Sequence, residues 1–116
     1  MAELRSLDPN TPMFAQLTEE TGPIVLANTF LVPTERTESF LALFRRQAEL
    51  MRSQPGFVSL QLHQGTAGSR LLLNVAVWES TRALAAALGN PQFQRIAAEF
   101  PADIVSYPHI FQRLDA

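Results

Sequence analysis

Two runs of the chain, IVLANTFLV (24–32) and RLLLNVAVW (70–78), carry large or β-branched residues at nearly every position, so a strand made from either is apolar on both sides. Successive strand residues point to opposite faces, which allows the two faces to be compared. One collects Val25, Ala27, Thr29 and Leu31 beside Leu71, Leu73, Val75 and Val77, and strict alternation adds Val58, Leu60 and Leu62 from the segment 57–64. The other collects Ile24, Leu26, Asn28 and Phe30 beside Leu72, Asn74, Ala76 and Trp78, with Phe57, Ser59, Gln61 and His63. Both faces need cover.

The remaining sequence supplies cover for only one. Thr34 is a fair helix cap, Glu35 and Glu38 suit a helix start, and Phe40, Leu43, Phe44, Ala48 and Met51 recur at helical spacing until about Ser53. Pro55-Gly56 breaks the chain, FVSLQLHQ alternates as a strand, and Thr66 to Ser69 turns it into RLLLNVAVW as a hairpin. Ser80 caps a second helix with Leu84, Ala87 and Leu88 inward, stopped at Gly89. Asn90-Pro91 opens a short third helix through Phe93, Ile96, Ala97 and Phe100, ended by Pro101. DIVSYPHIFQRL reads as the last strand, where Pro108 argues for an edge or a bulge. Residues 1–22 have no sustained apolar period and read as an irregular arm, with Phe14 and Leu17 able to dock, ahead of a domain over 23–116.

Strand-helix-strand-strand-helix-strand is the ferredoxin-like βαββαβ order, an α+β fold with a four-stranded antiparallel sheet and its helices on one face. Its first and third strands are expected as parallel neighbours at the centre. The uncovered apolar face exceeds what a monomer tolerates, and a second copy meeting it sheet to sheet gives a homodimer, a dimeric α/β barrel.

Composition removes several chemistries. Eleven acidic and nine basic residues nearly cancel, leaving no one-signed field for a nucleic acid or an anionic membrane. Cysteine is absent, and with it disulfides, thiolate metal sites and a thiol nucleophile; lysine is absent, and with it Schiff-base chemistry. The two histidines have no acid at helical spacing, so no metal site is expected, and GTAGS is a hairpin turn, not a phosphate cradle, so no dinucleotide is expected. With no apolar core in MAELRSLDPN and no stretch near the roughly 20 residues of a membrane span, the chain reads as cytoplasmic.

What remains is the helix-covered face. Asn28 and Asn74 lie on the central strands and converge there, Trp78 follows Asn74 with the same parity, and His63 and Gln61 join from the hairpin. An apolar chamber with a few convergent polar groups is the usual form of a small-molecule site, with Phe30, Phe44, Gln61, Leu84 and Phe93 as its lining. A plainer reading stands beside it. The two amides bond each other, Trp78 is core, His63 is a solvated loop residue, Arg95 is solvated, and Phe44, Phe93 and Phe100 fill the space.

The segments FLVPTE, QPGFVSLQLH, VAVWES and NPQF resemble the antibiotic biosynthesis monooxygenase domain, over roughly Pro23 to Leu114. Within that family the chain is most similar to cofactor-independent enzymes that turn polyketide anthrones into quinones. The resemblance implies that Asn28, Asn74, Trp78 and His63 are the catalytic positions, that no cofactor is used, and that the partners are an aromatic phenol, anthrone or quinol and O2. It departs at Leu84, where those enzymes carry a tyrosine, and at their helix arginine, to which Arg95 is only near. Haem-degrading relatives need a tryptophan and an axial histidine where this chain has Ala87 and Ala97, so haem is not implied. Two alternatives remain open: an enzyme of another class on the same scaffold, such as an isomerase of a small metabolite, and a non-catalytic dimeric binding module.

Overall fold

The structure, a computed structural model, describes residues 1–116. The first strand is one the sequence does not advertise. Glu3–Leu4 (β1) lies parallel to the last strand, with Glu3 N–H donating to Ile104 O and Arg5 N–H to Ser106 O, both at 2.8 Å. A helix, Met13–Thr18 (α1), completes the arm and sets Met13 and Leu17 against the core. There follow β2 (Ile24–Leu31), a 3-10 turn at Thr34–Arg36, α2 (Thr37–Arg52), β3 (Phe57–Gln64), β4 (Leu71–Trp78), α3 (Thr81–Leu88), α4 (Pro91–Glu99) and β5 (Val105–Phe111). From β2 onward this is the expected ferredoxin-like order, but the sheet has five strands, not four, in the order β1-β5-β2-β4-β3.

Local chemistry explains most boundaries. Ser80 Oγ accepts from Ala83 N–H at 3.0 Å and Asn90 Oδ1 from Gln92 N–H at 2.8 Å, satisfying helix-start donors that have no partner within the helix. Thr34 does not cap α2; it begins the 3-10 turn, and its carbonyl accepts from the Thr37 hydroxyl at 3.0 Å. At the Pro55-Gly56 break Gly56 has φ +85°, and a Cβ there would collide with the methyl of Ala83, so the turn into β3 admits only glycine.

The central strands β2 and β4 are antiparallel, not parallel. The crossover through α2 leaves β2 and β3 running the same way, and β4, inserted between them, opposes both. The register still places Asn28 directly opposite Asn74. Pro108 sits on β5 beyond the two residues that β1 covers, on the outer edge where a ladder donor is not needed.

β3 departs from strict alternation. A bulge between Phe57 and Ser59 inserts one residue, so Phe57 pairs with Trp78 while Leu60 and Leu62 pair with Ala76 and Asn74. Leu60 and Leu62 therefore pack on the helix side, and Ser59, Gln61 and His63 are exposed on the open side, opposite to the parity expected from the sequence. The open face otherwise carries Val25, Ala27, Thr29, Leu31, Leu73, Val75 and Val77, all half-buried, with Leu71 exposed.

Beneath the helices the core is divided. One cluster centres on Phe40, which is wholly buried and contacts Phe30, Phe44 and Phe100 with ring centroids 4.9, 5.9 and 5.6 Å away. The other centres on Ile24, Trp78 and Leu84. On β2 the first cluster takes Phe30 and the second Leu26; on β4 they take Leu72 and Ala76. The intervening positions on the two strands are Asn28 and Asn74.

Candidate active site

The division between the clusters is occupied by a two-lobed chamber. Its inner lobe, about 90 Å³, is lined by Asn28, Asn74, Trp78, Phe30, Phe44, Leu84 and Phe93 among others, the residues that the sequence assigns to the site apart from His63 and Gln61. Its outer lobe, about 250 Å³, shares Asn28, Phe30 and Phe93 and is bordered by the N-terminal arm. A hollow between α2 and β3, lined by Phe44, Leu62 and His63 among others, and another around Arg46, Glu49 and Arg95 are more open to solvent.

The strands fix the polar groups. Ser106, buried on β5 opposite Phe30, donates its hydroxyl proton to Asn28 Oδ1 at 2.8 Å. With its oxygen engaged in this way, Asn28 has Nδ2 left as the donor for the chamber. Asn74 Oδ1 is buried and has no hydrogen-bond partner. A buried acceptor left unpaired is unfavourable by about 1–3 kcal/mol, the mark of a group arranged for a ligand's O–H or N–H. Trp78 is 1% exposed and held edge-to-face by Phe57 at 5.3 Å, with the planes at 86°. Its indole is thereby immobilised against the inner lobe.

His63 and Gln61 are corrections. The bulge turns both to the open face, where His63 Nδ1 lies 3.3 Å from Leu73 O at the exposed end of the hairpin. Arg95 is exposed on the outer side of α4 and lines no part of the chamber. No ionisable side chain lines either lobe. No three histidine, aspartate or glutamate side chains converge to hold a metal anywhere in the chain, and no helix is long and apolar enough to cross a membrane.

Two residues of the chamber escape a reading by motif. Ser106 was legible only if the facing of β5 were known, which Pro108 obscures. Gln47 lines both lobes, and its position, three residues past Phe44 on the inward stripe of α2, is a polar interruption that the helical period does reveal. Over this roof Arg46 grips Glu99 with two bonds of 3.1 and 2.9 Å, tying α2 to α4, and these bonds hold the Glu99 carboxyl below its ordinary range.

Comparison with known proteins follows the same outline. SnoaB, a cofactor-independent oxygenase from Streptomyces nogalater, superposes with a TM-score of 0.74 at 28% identity, over 83% of this chain and 97% of that one. Rv0793 from Mycobacterium tuberculosis gives 0.72 at 18% identity, over 82% of this chain and 98% of that one, a likeness of fold alone. Among curated sequences, an uncharacterized protein of Synechocystis, sll1783, is 29% identical over 86 residues, which is 74% of this chain; the chain spans 58% of that protein's length. The family model described as antibiotic biosynthesis monooxygenase matches residues 23–99, and the chain belongs to that family.

Proposed function

We propose that the protein is a cofactor-independent monooxygenase that oxidises a phenolic, anthrone- or quinol-type aromatic with O2, working as a homodimer through the open sheet face. The observation that carries this reading is the pair of amides at the divided core: Asn28, its oxygen held by Ser106, and Asn74, its buried oxygen unpaired. An activated CH2, or a phenolic O–H in resonance with a ring carbon, gives up a proton to solvent, and the anion is stabilised by the N–H donors of Asn28 Nδ2, the Asn74 amide and the Trp78 indole. The carbanion passes one electron to O2, the radical pair joins as a peroxide, and the peroxide takes up a proton and loses water. One oxygen atom stays on carbon as a carbonyl and the other leaves as water. Donors aimed at a developing oxyanion in a dry site are each worth a few kcal/mol of barrier.

With no ionisable side chain in the chamber, the substrate must be acidic enough to ionise on the strength of these hydrogen bonds, which favours a stabilised anion such as an anthrone or quinol. The binding-module alternative requires the two amides to bond each other in a filled core; Asn28 bonds Ser106 instead and the space is open. An isomerase would consume its substrate without oxygen. The test is oxygen uptake by metal-stripped protein given anthrones and quinols, wild type beside Asn74→Ala. We expect uptake that falls on the order of a hundredfold in the variant; uptake equal in both would remove Asn74 from the mechanism, and none at all would leave the non-oxygenase roles.

A further inference from the structure

One wall of the outer lobe comes from the N-terminal arm, which lies outside the family match. Ala2, Leu4 and Met13 of the arm border it on one side and Phe93 and Ala97 of α4 on the other, with Asn28 on the partition to the inner lobe. The arm is fastened. β1 bonds β5, and Gln16 Oε1 accepts from Ile110 N–H at 2.7 Å. That bond turns Gln16 Nε2 toward Thr11 O at 2.7 Å and His109 Nδ1 at 3.1 Å, which makes His109 an acceptor at Nδ1. Behind α1, the Thr81 hydroxyl donates to Glu19 O at 2.6 Å.

The two lobes differ in chemistry. The inner one presents the free groups of Asn74 and Trp78. In the outer one Ser106 is bound to Asn28, and Gln94 donates to Leu88 O at 2.6 Å, so most of its polar side chains are already engaged and its walls are chiefly aliphatic and aromatic. An apolar cavity of this kind is filled favourably by hydrocarbon and poorly by water.

We propose that the outer lobe is a subsite, built by the N-terminal arm, for a hydrocarbon extension of the ligand. The hydroxylated ring lies against Asn74 and Trp78, and an alkyl chain or further ring passes Asn28 into the arm's apolar sleeve. The inference rests on the ring placement of the proposed function, and adds that the arm sets which substrates are accepted.

Phenol, 4-propylphenol and 4-pentylphenol titrated calorimetrically test it, with quenching of Trp78, the chain's one tryptophan, reporting entry of the ring into the inner lobe. In the wild type the affinity should rise about fourfold per added methylene, the ratio that corresponds to moving one CH2 out of water. In Leu4→Glu, which charges the rim, and in Ala97→Phe, which fills the lobe, the dependence on chain length should flatten. A flat series in the wild type with phenol still bound overturns the subsite and leaves the ring site standing, as does an equal slope in wild type and both variants. Failure of every phenol to bind overturns both. A steep series without oxygen uptake removes the oxygenase reading alone.

Discussion

Replacing Ser106 with alanine isolates the group that holds Asn28. The serine is 1% exposed and its hydroxyl is the one donor on Asn28 Oδ1, at 2.8 Å, so the variant removes a single oxygen atom and leaves the amide oxygen facing an apolar chamber. A neutral hydrogen bond nets about 1 kcal/mol, but an acceptor stranded away from water raises the loss to about 1–3 kcal/mol. For a domain of this size that is a fall in Tm of about 4 °C per kcal/mol. Trp78 lies in the second core cluster, so its fluorescence follows the unfolding in heat or urea. The decisive comparison is with Ser106→Ala combined with Asn28→Leu. If the penalty comes from the orphaned oxygen, removing that oxygen as well should recover most of the loss, a coupling on the order of 1 kcal/mol or more. A single variant within about 0.5 kcal/mol of wild type, or a double variant that merely adds the two losses, would show that water satisfies the amide and would refute the idea that Ser106 sets its orientation.

Phe40→Ala should be the most damaging core change, about 3–5 kcal/mol by urea unfolding, because Phe40 is wholly buried against three other phenylalanine rings; a loss under 1 kcal/mol would mean the cluster collapses around the gap. His63→Ala should leave turnover unchanged, since the bulge turns the imidazole away from the chamber, and a large fall in turnover would return it to the mechanism. Val75→Glu, at the middle of the open face, should yield monomers in sedimentation analysis by burying an unpaired charge in the pair; a dimer that survives it would place the interface elsewhere.

The ferredoxin-like order and most of the chamber were legible because they rest on short-range signals. Pro33, Ser80, Gly89, Asn90-Pro91 and Pro101 punctuate the chain, and a two-residue period sorts β2 and β4 without error: Asn28, Asn74 and Trp78 share the face that the helices cover. The same period failed on β3, where one extra residue after Phe57 reverses every later side chain and moves Gln61 and His63 out of the site. Bulges arise from pairing between strands, and nothing in FVSLQLHQ marks one. The strand direction at the centre of the sheet is likewise a property of topology. β1 is two residues long and owes its existence to the free edge of β5, so no local pattern announces it.

The divided core has a consequence for the history of such a chain. Leucine at both asparagine positions would knit the two phenylalanine- and tryptophan-centred halves into one, and a search for heat resistance would find those substitutions early, because most natural proteins sit below the stability their scaffold can reach. A thermally selected lineage should therefore drift toward closing the seam, and a lineage selected for its chemistry should keep it open. The asparagine pair is where those two pressures on the sequence come apart.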